Sequence, residues 1–177
     1  EQFVDFFKGT ALVGAVNAGN VADALSGPNK PWYTLATKLG LVASLLGSDA
    51  TSLEVTALVP EGSNLKNITV LPSAAVAGYL GGVTKDPRLN ILNAPTLSKQ
   101  KGINLSSNRA PATSGPGLKL TVKLSSGVAT IVGSLEGEAA VLRSIGDSDF
   151  IGGLQLAGDQ LFFQAQPGKG GFAGVEG

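Results

Sequence analysis

The chain has 177 residues, 43% of them apolar and 15% charged, with 25 glycines and 9 prolines, which bounds it to one compact soluble domain with room for a fragment of a second. It contains no Cys, His or Met. That excludes disulfides, thiolate nucleophiles, Cys/His zinc sites, Ser-His-Asp triads and imidazole acid–base chemistry, and the missing initiator points to a piece of a longer chain. Thirteen basic side chains balance thirteen acidic ones, so no net charge draws the chain to nucleic acid. No apolar run approaches the roughly 20 residues of a membrane span, and the start lacks the order of a signal peptide.

In chain order, Gln2-Phe3-Val4-Asp5-Phe6-Phe7-Lys8 reads as the last turns of a helix stopped by Gly9. Residues 11–17 follow as a strand of small apolar side chains, and Ser26-Gly27-Pro28-Asn29 as a turn. Lys30-Pro31-Trp32 opens the strongest helix, with Trp32, Leu35, Ala36, Leu39, Ala43 and Leu46 at three- and four-residue spacing. Within it Gly40 is a weak point of about 1 kcal/mol, and Trp32 is expected as a core anchor. Residues 52–59 alternate as a strand, with Leu53, Val55, Ala57 and Val59 on one face. Ser73 is placed to cap a short helix over 74–80 that Gly81-Gly82 ends. Asn93-Ala94-Pro95 starts a helix within 90–102, closed by Gly102.

From residue 103 the period changes to alternation. Residues 103–109 form a strand, 110–117 a Pro/Gly/Ser-rich loop, and 118–124 and 128–135 a hairpin turned by Ser125-Ser126-Gly127. Short strands over 141–145, 150–151 and 160–165 complete the series. Helices in the first half and strands in the second predict an α+β fold: a mostly antiparallel sheet with helices packed on one face.

Charge is uneven along the chain. Residues 85–123 carry seven basic side chains and one acidic, whereas the flanking segments are acidic. Lys119 and Lys123 fall on one face of the predicted strand 118–124, opposite Leu118, Leu120, Val122 and Leu124. With Arg109 across the loop they are candidates for gathering an anion such as phosphate, a reading ranked second to simple solvation of an exposed face. The pairs Glu136/Glu138 and Asp147/Asp149 read as solvated turns, and Ser106-Ser107 and Ser125-Ser126 have no neighbouring base. Gly168-Lys169-Gly170-Gly171-Phe172-Ala173 fits a GxGxxG/A pattern, but a dinucleotide fingerprint needs a following helix and a ribose-binding acid about 20 residues on, and the sequence stops at Gly177.

Several stretches in this order resemble the C-terminal regulatory half of the long-type D-3-phosphoglycerate dehydrogenases: Gln2-Phe3-Val4-Asp5 with Lys8-Gly9 and Val16-Asn17-Ala18, Lys30-Pro31-Trp32 with Leu35-Ala36 and Leu39-Gly40, Ser63 with Leu65-Lys66-Asn67, and Asn90-Ile91-Leu92-Asn93-Ala94-Pro95 with Lys101-Gly102. Pro167-Gly168, Gly171 and Gly174 resemble the turn that opens the terminal ACT domain of that family. The resemblance implies the end of a linker helix at 1–8, an intervening regulatory domain at 9–157 and the start of an ACT domain at 158–177. It implies no catalytic, cofactor-binding or metal-binding residue in this chain, NAD in the parent enzyme, a cytoplasmic location, and as partners the catalytic half of the same chain and further copies in a homo-oligomer. A phosphorylated substrate or phosphate would meet basic side chains, among them Arg143; the second basic position of the family falls at 151–154, which is uncharged here. The β domain of the iron–sulfur L-serine dehydratases and a free-standing anion-binding module are the alternative readings.

Overall fold

The computed structural model describes residues 27–61, 65 and 68–158. The expected strands over 11–17 and 160–165, the helix end at 1–8 and the GxGxxG-like segment lie outside the described residues.

Helix α1 spans Lys30–Leu46 and strand β1 Ser52–Leu58. A 3-10 turn at Ile68–Val70 leads into α2, Leu71–Thr84, and α3 is Ala94–Gln100. Five strands follow: β2 Asn104–Ala110, β3 Gly117–Leu124, β4 Gly127–Glu136, β5 Ala139–Ile145 and β6 Ser148–Gln155. They form one six-stranded sheet in the order β2-β1-β3-β4-β5-β6. Among the described strands only β1 and β2 pair in parallel, since α2 and α3 carry the chain back across one face between them; β3 to β6 run as an antiparallel meander joined by short turns. The fold is therefore α+β with a mixed, mostly antiparallel sheet, as its sequence pattern implied. Among the described residues no helix is long and apolar enough to cross a membrane.

The alternation in the strands sets the layers. Leu53, Val55, Ala57, Leu118, Leu120, Val122, Ile131 and Leu142 are buried and join Leu35, Leu39, Val76 and Leu80 from the helices in one core. Each such aliphatic side chain contributes about 1.5–3 kcal/mol on removal from water, so the helix-facing side of the sheet cannot be any other. On β3 the opposite residues Lys119, Thr121 and Lys123 are partly or fully exposed.

Helices α1 and α2 touch backbone to backbone. A Cβ on Gly40 would lie 1.8 Å from the Ala75 carbonyl oxygen, and one on Gly78 would lie 1.8 Å from that of Thr37. A Cβ on Gly82 would come within 2.0 Å of Ser44 Oγ. Gly40 is thus a contact surface as well as a helix-weakening residue, because only hydrogen side chains let the two axes approach so closely.

Several boundaries depart from the sequence pattern for visible reasons. Ser73 is not the cap of α2, which starts at Leu71 with Pro72 in its first turn, where a missing N–H costs nothing. Gly81-Gly82 do not end it either, since Gly82 lies in the contact with α1; the helix stops at Lys85, the only non-glycine described residue with positive φ (52°). Leu46 is exposed and Trp32 only partly buried, so the anchor of the N-terminal turn of α1 is Tyr33. The short strand expected at 150–151 extends over Ser148–Gln155, with Gly152 and Gly153 at φ 78° and 77° interrupting a regular pattern.

Candidate functional site

The face of the sheet away from the helices is polar and mixed in charge. Lys119 stands opposite Thr56 and Val132, and Lys123 opposite Ser52 and Val128. Between them Glu54 stands opposite Thr121, a diagonal neighbour of both lysines that offsets part of their positive potential. Ser106 Oγ lies 3.5 Å from Glu54 Oε2 at the β2 side of this patch.

Arg143 shares this face and is the most organised of its cations. In the pairing of β4 with β5, Leu142 faces Gly133 and Ser144 faces Val132, so Arg143 is the extra residue of a β-bulge. Its Nε donates to Ser134 Oγ at 2.6 Å and its Nη2 to Glu136 Oε1 at 2.7 Å. The guanidinium occupies room left by Gly153, where a Cβ would fall 2.7 Å from Nη1 and 2.4 Å from Val141 Cγ1. Arg143 is therefore a half-buried, paired side chain and not a free cation at a strand end.

Arg109 is placed elsewhere. It is in register with Ala57, whose side chain is buried on the helix-facing side, and its Nη2 donates to the Leu65 carbonyl at 2.8 Å. Of the four basic residues that the sequence offered for an anion, the structure puts Lys119, Lys123 and Arg143 on one face of the sheet and Arg109 on the other.

Three further polar devices carry structural roles. Asn90 and Asn93 brace the entry to α3 reciprocally: Asn90 N donates to Asn93 Oδ1 at 2.8 Å, Leu92 N and Asn93 N donate to Asn90 Oδ1, and Asn93 Nδ2 donates to the Arg88 carbonyl. The signal for this was the Asn-x-x-Asn-Ala-Pro string itself, since two Asn side chains three apart ahead of a Pro suit Asx-type turns. The Tyr79 hydroxyl, 1% exposed as a residue, accepts from Ala50 N at 2.9 Å, and burial pushes its pKa up. Asp49 receives both the hydroxyl and the backbone N–H of Ser125, and the hydroxyl above all holds its carboxyl below the usual carboxylate range. Those bonds tie the β3–β4 turn to the connection between α1 and β1.

At the other end of the sheet, a shallow groove of about 240 Å³ is lined by Lys38, Leu41, Val42 and Leu45 of α1 and by residues 156–158. Lys38 Nζ donates to the Leu156 carbonyl, and Leu156 N to that of Ala140. Nothing in the sequence period marked this groove, because it joins one helix face to a chain segment more than a hundred residues away.

The class that fold and face define is a sheet-and-helix module with a polar, ion-paired open surface. Its sequence relatives are D-3-phosphoglycerate dehydrogenases, to which the chain is related through their C-terminal part. It is 35% identical to the Rattus norvegicus D-3-phosphoglycerate dehydrogenase and 34% identical to that of Sus scrofa, each over 174 residues and 94% of the chain. It is 33% identical over 173 residues, 93% of the chain, to that of Homo sapiens. The chain spans 32% of the length of each of these relatives. No family model matches it.

Proposed function

We propose that this chain is a non-catalytic regulatory and assembly segment of a D-3-phosphoglycerate dehydrogenase, whose remaining parts oxidise 3-phosphoglycerate with NAD as the entry to serine biosynthesis. The observation that carries this reading is the match of 94% of the chain to one third of such enzymes. The residue types support it: there is no His or Cys, and the described carboxylates lie in turns or near strand ends, are paired with Arg as Asp86 and Glu136 are, or, as Glu54, stand beside Ser106 on the open face of the sheet, so the usual acid–base and nucleophilic groups have to come from outside this segment. Contacts with the catalytic half and with other copies of the chain belong to the same proposal.

Two measurements test it. The purified 177-residue chain is expected to form no NADH from 3-phosphoglycerate above a blank. In the parent enzyme, removal of residues 27–158 is expected to leave NAD-dependent oxidation measurable while changing oligomeric state or substrate response. Turnover by the isolated chain, or an unchanged oligomer and response in the deletion, overturns the reading.

Within this proposal the anion-facing group consists of Lys119, Lys123 and Arg143, without Arg109. Lys119 and Lys123 are about 13–14 Å apart along the strand, beyond a Debye length at ordinary salt, so the attraction they offer is weak and strongly screened.

A further inference from the structure

We draw no further inference here: the strongest candidate, the apolar groove between Leu41, Val42 and Leu45 of α1 and residues 156–158 just after β6, is an exposed face, and nothing in the structure shows what covers it.

Discussion

A single hydroxyl, that of Tyr79, closes the hydrogen-bond account of the connection between α1 and β1. Tyr79→Phe leaves Ala50 N–H buried without a partner and is expected to cost about 1–3 kcal/mol in urea unfolding. The same residue gives an alkaline limit. Its folded pKa lies above the unfolded phenol value of about 10, so the neutral form is favoured in the native state; its contribution is full below that value and disappears as pH rises through the folded pKa. The variant is expected to lose that part of the alkaline decline. At Asp49 the sign is opposite: its folded pKa is lowered, so its contribution is present above the ordinary carboxylate value of about 4 and is lost as pH falls through the folded one. Ser125→Ala removes the main cause, and NMR titration is expected to show the Asp49 carboxyl returning toward its ordinary value.

At the scale of elements, the contact between α1 and α2 has the strictest requirement. Gly40→Ala and Gly78→Ala each drive a methyl group into a facing carbonyl of the other helix, where no flexible side chain can yield. Each is expected to destabilise by about 3 kcal/mol or more, although alanine is the better helix former by about 1 kcal/mol. A thermal or urea transition that moves upward in either variant would contradict the close approach. Lys85, by contrast, ends α2 in a left-handed conformation at φ 52°. Lys85→Gly is expected to stabilise by about 0.5–1 kcal/mol, because glycine adopts that geometry without crowding its Cβ. At the entry to α3, Asn93→Ala is expected to cost about 1–2 kcal/mol through loss of the reciprocal bonds to Asn90 N and the Arg88 carbonyl.

Across the whole molecule, the sheet separates charge by face. Phosphate or 3-phosphoglycerate titrated against labelled protein at low salt is expected to shift resonances near Lys119, Lys123 and Arg143 and to leave Arg109 unmoved, with the shifts fading as salt is raised. Coordinated shifts that include Arg109 would mean that the two faces do not act separately. Arg143→Ala is expected to affect more than anion response, since it also frees Glu136 and Ser134 from the bulge; Gly153→Ala is expected to disturb the same bulge without removing charge.

Local pattern was enough for much of this architecture. Alternation identified β1, β3 and β4 and their buried faces, because burial of Leu118, Leu120 and Val122 and exposure of Lys123 follow from a period of two and the cost of desolvating charge. The change from helical to alternating period was likewise sufficient for the α+β class, and the ordered strings around Trp32 and Asn90 for the relationship to D-3-phosphoglycerate dehydrogenases. Features that depend on contacts between distant segments were not legible. Gly40 reads as a defect until Ala75 is seen against it, and Gly82 reads as a helix stop until Ser44 is. Arg109 and Lys119 look like neighbours in a basic segment, yet the parallel pairing of β2 with β1 turns one toward the helices and the other away. The strand period assigns each side chain to one of two faces, but only tertiary pairing decides which faces coincide, and with them which charges can act together.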